Sequence, residues 1–237
     1  VHMLGLPCDM GRVLSVTRRR KVRVLEDACQ AVGGSYRGRR LGSIGHAGAF
    51  SFNHFKIITC GEGGAVVTND TRIYHGALIH HDGGCSFRRH AGEMVVPIFA
   101  GLNFRVSEIQ GAILRVQLRR LDGILARLRA RKKAMVEILR QAPRLTLNPV
   151  RDPEGDCGAT VPMLFESAAA MRAFQGAAKA QGIGLSSPID SGMHVYSNWT
   201  PIMEKRGAHH PRRDAFRLAG RSVWYSRTMC PRTTDIL

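Results

Sequence analysis

The sequence lacks long apolar runs: stretches such as Ile57–Ile58 and Ala65–Thr68 fall far short of the roughly 20 residues of a bilayer-spanning helix, so no membrane helix is expected. It also lacks paired cysteine motifs. Cys8, Cys29, Cys60, Cys85, Cys157 and Cys230 are scattered, with no C-x-x-C and no zinc-finger spacing, and buried free thiols are expected. His80–His81 and His209–His210 are adjacent pairs whose side chains diverge on either a helix or a strand; they read as solvated or capping residues, and no metal site is expected. Acids are scarce, 18 against 35 Lys and Arg, for a net charge of +17. That balance suits an anionic partner. Yet the basic residues are spread through "RRRKVR", "RGRR", "RLRARKK" and "RRDAFR" without the interleaved aromatics of a nucleic-acid stacking platform, and solvated basic faces are the reading. A milder consequence is attraction of a phosphorylated or nucleotide-linked substrate. The opening "VHMLGLP" has neither the basic start nor the apolar stretch of a secretory signal, and a cytoplasmic location is expected.

What is present is a chain of 237 residues with 44% hydrophobic content, enough for a real core. Asp9 stands before an apolar and basic stretch that reads as a surface helix to Lys21. A short apolar run from Val22 to Leu25 reads as a buried strand delivering Glu26 and Asp27 at its end. Loop and turns follow, then strands at Ala49–Phe52 and through "AVVT", and a helix from Asp70 or Thr71. From Val106 to about Gln141 the apolar spacing predicts one long helix, or two broken near Gly123, with Ser107 as N-cap. Pro143 marks a boundary. The expected organisation is α/β, with a large domain over 1–141 and a smaller one over 142–237.

Within "SFNHFKIITCGEGGAVVTND", Lys56 follows a hydroxyl-bearing strand end and precedes Gly61, Gly63 and Gly64. A lone lysine is ordinarily a surface residue, but here a desolvated amine could form a Schiff base with a carbonyl while the glycines let backbone approach a bulky cofactor. Such chemistry needs an electron sink, which pyridoxal phosphate provides when an acid keeps its ring nitrogen protonated. Asp27 is the candidate acid; from spacing alone a turn or helix cap is an equal reading.

The stretches "VLEDACQAVGG", "FSFNHFK" leading into "GEGG", and "GLNFR" before the long helix resemble the DegT/DnrJ/EryC1/StrS family of pyridoxal-phosphate-dependent sugar aminotransferases. The resemblance implies part of a type I pyridoxal-phosphate transferase fold, with a large domain and a small C-terminal one. It implies that Asp27 pairs with the pyridine nitrogen, Gln30 lies by the ring or its phenolic oxygen, and Ser51 meets the cofactor phosphate. Lys56 then carries the cofactor and shuttles the proton. Asn103 reaches the phosphate of a cofactor held by a neighbouring subunit, which implies a homodimer with shared sites. His194, in "HVYSNWTPIMEK", is a weaker candidate for substrate contact, and Tyr196 and Trp199 either line a sugar pocket or belong to a small core.

Family members with histidine at the lysine position are dehydratases, so Lys56 favours transfer of an amino group, from a donor such as glutamate, to a keto sugar. His54 is then a neighbour of the site. The resemblance starts in mid-pattern, so the expected chain lacks an N-terminal block with several strands, a phosphate-binding element and the aromatic that stacks on the ring. A catalytically incomplete fragment or interaction module is the alternative implied by that shortfall.

Overall fold

Short-range capping rules place the helices. Asp9 accepts a hydrogen bond from the Arg12 backbone N–H and starts α1, Met10–Arg19. Asp70 does the same for α2, Thr71–His81, through the N–H groups of Arg72 and Ile73. Ser107 and Gln110 form a reciprocal capping box at the start of α3, Glu108–Leu139. Ser167 caps α4, Ala168–Ala180. The computed structural model describes residues 1–85, 91–142, 145–191, 194–207, 210, 212, 214–218 and 224–233. Pro143 and His209, singled out from the sequence, lie outside the described residues.

The chain divides into two compact units, Val1–Leu164 and Phe165–Leu237. The first holds a three-stranded sheet in the order β1-β4-β5, made of Leu25–Asp27, Ala47–Ser51 and Gly64–Thr68. β1 runs parallel to β4, with Glu26 opposite Gly48 and Asp27 opposite Ala49. β5 is antiparallel to β4, from Ala47 opposite Thr68 to Ser51 opposite Gly64. β2 and β3, Ser35–Tyr36 and Arg39–Arg40, form a tight hairpin where the sequence suggested only turns. β6 and β7, Thr146–Leu147 and Met163–Leu164, form another antiparallel pair.

β1 begins later than the apolar run suggested, and it ends, as expected, with both acids. Val22 lies outside the strand and is exposed; its N–H closes the end of α1 on the Thr17 carbonyl. The core joins Met10, Val24, Ala28, Val32, Tyr36, Leu41, Ile44, Ile58 and Cys157 to Leu121 and Leu125 of α3. Gly33 lets α3 approach, since a Cβ there would stand 2.6 Å from Leu125 Cδ1. α3 is a single helix of 32 residues without a break at Gly123. Only Leu121 and Leu125 of it are buried, while Ile109, Val116, Leu118 and Ile138 are exposed. A buried Asp156 fastens its middle, accepting from Lys132 Nζ while its carbonyl accepts from Arg129 Nε at 2.7 Å.

The second unit contains α4, where Arg172 makes a two-pronged contact of 2.6 Å per bond with Asp190. The Arg172 guanidinium and the Ser187 hydroxyl together hold the Asp190 carboxyl down at about 2. All six cysteines are free; Cys60, Cys85 and Cys157 are buried, Cys8 and Cys29 half-buried, and Cys230 exposed, so burial holds for only half of them. Among the described residues no helix is long and apolar enough to cross a membrane.

Candidate functional site

The alternation of β1 sends Glu26 into the core and leaves Leu25 and Asp27 on the other face. Register carries that face across the sheet: Asp27 lies opposite Ala49, and Ser51 is two residues farther along β4 on the same side. Leu25 is 68% exposed and Val66, opposite Ala49 on β5, is 55% exposed, so this side of the sheet is open. Asp27 and Ser51 therefore share an open face.

Lys56 comes to them on a loop closed by its own backbone. Phe52 is the clasp: its N–H donates to the Gly63 carbonyl at 2.8 Å, and its carbonyl accepts from Cys60 N–H and Thr59 Oγ1, both at 3.0 Å. Inside the loop Asn53 turns the chain, its side chain accepting from Phe55 N–H at 3.2 Å and its carbonyl from Lys56 N–H at 3.0 Å. Asn53 was missed from the sequence, although an Asn two residues before a turn position is a known turn signal. Gly61 and Gly63 have local reasons as well. Gly61 has φ +91°, and a Cβ on Gly63 would stand 2.9 Å from Cys60 Sγ.

The surroundings of Asp27 keep it ionised. Burial pushes the Asp27 carboxyl up, but the Cys29 backbone N–H and nearby thiol, then the charge of the amino terminus and last that of Lys56, outweigh it and hold the group below the ordinary carboxylate range. The Cys29 N–H reaches Asp27 Oδ1 at 3.0 Å. Cys29 itself is pushed up to about 11, by burial first and then by the Asp27 carboxylate, with Lys56 opposing. Its thiol thus stays protonated and donates to the Ala49 carbonyl at 3.7 Å. An ionised carboxylate, a primary amine and a hydroxyl on one side of a sheet suit a ligand with a protonated ring nitrogen, a carbonyl and an anionic group.

The remaining predicted residues are placed otherwise. Gln30 is close by in sequence, but its Oε1 accepts from Leu4 N–H at 2.7 Å, which leaves the amide N–H2 for other partners. Asn103 stands apart. Its Oδ1 accepts from the Arg105 backbone N–H and Nε, at 3.3 and 3.2 Å, and Arg105 Nη1 bonds the buried Asp82 at 3.0 Å. Among the described residues no hydrogen bond or ion pair joins Asn103 to Asp27, Ser51 or Lys56. His194 belongs to the second unit, where its Nδ1 is 2.6 Å from Ser191 Oγ. There Tyr196 donates to the Arg227 carbonyl at 2.7 Å, and Trp199 is 49% exposed. His54 is 4.0 Å from Glu62 and stacks on Phe55. His81 Nδ1 lies 2.8 Å from the Leu78 carbonyl, and His80 packs by Phe104. A shallow depression bordered by Gly45, His46 and Asp70 lies at the opposite end of β4 from Ser51 and contains none of the predicted site residues.

The sequence is 42% identical over 126 residues to a GDP-perosamine synthase of Caulobacter vibrioides, covering 53% of this chain and 33% of that protein. A 3-amino-5-hydroxybenzoate synthase of Amycolatopsis mediterranei is 38% identical, covering 53% and 32%. The matched part is thus about a third of these relatives' length. Among solved structures, an aminotransferase from Psychrobacter cryohalolentis matches with TM-score 0.55 and 33% identity, over 61% of this chain and 39% of that one. An Escherichia coli GDP-4-keto-6-deoxy-D-mannose-3-dehydratase with bound hydrated pyridoxal phosphate shares the fold, with TM-score 0.72 over 85% of this chain and 55% of that one, at 21% identity. The fold is thus that of the pyridoxal-phosphate-dependent aminotransferases, present in part. A profile of the DegT/DnrJ/EryC1/StrS aminotransferase family matches residues 1–211. With the Asp27, Ser51 and Lys56 stretches all inside that match, this chain belongs to the DegT/DnrJ/EryC1/StrS aminotransferase family.

Proposed function

We propose that this chain carries the lysine-bearing part of a pyridoxal-phosphate-dependent aminotransferase that moves an amino group, from a donor such as glutamate, to a nucleotide-linked keto sugar in the cytoplasm. The observation that carries the reading is the register that puts Asp27 and Ser51 on one open sheet face, with Lys56 on the closed loop that leaves β4 directly after Ser51. In this reading the Asp27 carboxylate holds a proton on the ring nitrogen, and Ser51 Oγ donates to the phosphate. Bound there, the cofactor supplies an electron sink for the pair released when a substrate C–H bond breaks. Lys56 Nζ holds the proton taken from that carbon. The Cys29 backbone N–H keeps Asp27 oriented. The net charge of +17 favours an anionic, nucleotide-linked substrate.

Asn103, apart from this cluster, acts in the proposal on the cofactor of a second copy, in a homodimer. Lysine at position 56, where dehydratases carry histidine, supports amino transfer over dehydration. The test is incubation of the purified chain with pyridoxal phosphate, borohydride reduction and peptide mass mapping. A pyridoxyl label on the Lys56 peptide, absent in Lys56→Ala, is the expected result. A folded chain that takes up no label at Lys56 sinks the proposal and leaves a non-catalytic member of the family.

A further inference from the structure

Glu26 is almost completely buried, at 2% exposure, and everything around its carboxylate is a donor. Oε1 accepts from Ile44 N–H at 2.6 Å and Gly45 N–H at 2.5 Å. Oε2 accepts from Gly42 N–H at 2.9 Å and lies 3.0 Å from His2 Nε2. The tautomer of His2 follows from its other nitrogen. Nδ1 accepts from Cys8 N–H at 3.2 Å, so the ring proton sits on Nε2 and is donated to Glu26. The His2 backbone N–H in turn donates to the Asp27 carbonyl at 2.9 Å.

Three segments therefore converge on one residue of β1: the stretch around His2, the turn from Leu41 to His46, and the strand. The turn lies flat on the sheet because Gly48, opposite Glu26, has no side chain; a Cβ there would overlap the Gly42 carbonyl. Gly42 itself has φ +84°, a conformation that disfavours other residues. A strand of three residues with five such tethers has little freedom to slide. A slip of one position would turn Asp27 into the core and Glu26 to the open face.

We propose that His2 and Glu26 are positioning residues for Asp27: together they pin β1 in the register that presents the Asp27 carboxylate on the open sheet face beside Ser51. The functional weight of this rests on the reading of Asp27 as a cofactor ligand, but the geometry it predicts is measurable without any cofactor. Because the cradle contains only donors, glutamine is a poor substitute for Glu26. Its N–H2 would face two N–H groups and leave them unpaired. The ionised form of Glu26 is the one that fits. Burial pushes its carboxyl up, but the bonds from His2, Gly45, Gly42 and Ile44 outweigh this and hold it low. The other titratable groups at hand are Cys8, whose thiol is pushed up by burial and by Glu26 against the opposing charge of the amino terminus, that terminus itself, and Asp27 with its neighbours Cys29 and Lys56.

The sign of one observable separates positioning from simple electrostatics. Removing the Glu26 charge takes away a nearby negative charge, which by itself lowers the pKa of Asp27. Loss of positioning does the reverse, because it loosens the Cys29 N–H bond that holds Asp27 ionised. The experiment is carbon-detected NMR titration of the Asp27 carboxyl in the full chain, for wild type, Glu26→Gln and His2→Ala, with amide spectra to confirm folding. The expected result is an upward movement of the Asp27 midpoint in both variants, larger in Glu26→Gln. An unchanged or lowered midpoint in the folded variants overturns the proposal. If Glu26→Gln does not fold, His2→Ala decides, since it keeps three backbone donors on Glu26. If neither folds, the pair is structural only and the positioning role is rejected. Borohydride labelling of Lys56 is scored separately: a labelled Lys56 with an unmoved Asp27 refutes the positioning alone, and an unlabelled Lys56 with a moved Asp27 refutes the cofactor reading alone.

Discussion

Glu26 and Asp27 are neighbours on one short strand, both carboxylates, and they lead opposite lives. On the covered face Glu26 meets four donors and has almost no contact with solvent. On the open face Asp27 keeps one short bond, to Cys29 N–H, and remains accessible to a ligand. The difference teaches that the same chemical group is structural where its lone pairs are saturated by protein donors and functional where one edge is left to a ligand. The comparison extends along β4, where Gly48 yields its space to the 41–46 turn and Ser51 retains a hydroxyl on the open side.

The comparison breaks first at Glu26. Glu26→Ala leaves buried donors without an acceptor and is expected to cost about 3–5 kcal/mol, read from urea unfolding. Asp27→Ala is expected to cost about 1 kcal/mol or less, while abolishing borohydride labelling of Lys56. Equal costs for the two would erase the distinction between the faces. Acid sharpens it. The folded pKa of Glu26 is depressed, so its contribution is fully present above its unfolded value and is lost as pH falls through the folded value. Wild type should lose stability in that acidic window, and Glu26→Ala should show a flatter profile there.

Next in size is Gly48→Ala. The added methyl meets the Gly42 carbonyl, and the turn must lift from the sheet at a cost of about 1–3 kcal/mol, visible as a lower urea midpoint. Ser51→Ala should leave that midpoint in place and weaken cofactor retention by up to about tenfold, the worth of one hydrogen bond, in an absorbance titration. Smallest is Leu25→Thr. At 68% exposure this substitution is expected to change stability by less than about 0.5 kcal/mol. A large loss at Leu25 would mean that this face is covered in solution.

Much of the first unit was legible where the signals are local. Asp9, Asp70 and Ser107 start helices because each has a side-chain acceptor followed by a helical pattern, and the structure finds all three making the bond. The β2–β3 hairpin was not legible. Its strands are two residues each, and although Gly38 at φ 77° marks a turn, Arg37 takes the other turn position at φ 49° where glycine or asparagine would have announced a hairpin. Lys56 and Asp27 stood out through their surrounding motifs. The His2–Glu26 cradle did not, because its partners are 16 to 24 residues from Glu26 and become neighbours only when the turn closes on the sheet.

The sequence by itself determined where the main helices of the first unit begin, that β1, β4 and β5 are strands, the membership in an aminotransferase family, and that a lysine, a carboxylate and a hydroxyl are its chemical capital. It also determined that Glu26 and Asp27 point to opposite sides, since a strand alternates with a period of two. Only the tertiary structure decided which side is which. Alternation sets the difference between neighbours but not its sign; the sign came from the 41–46 turn, which lies against Gly48 and brings its N–H groups to Glu26, leaving Asp27 to the open face.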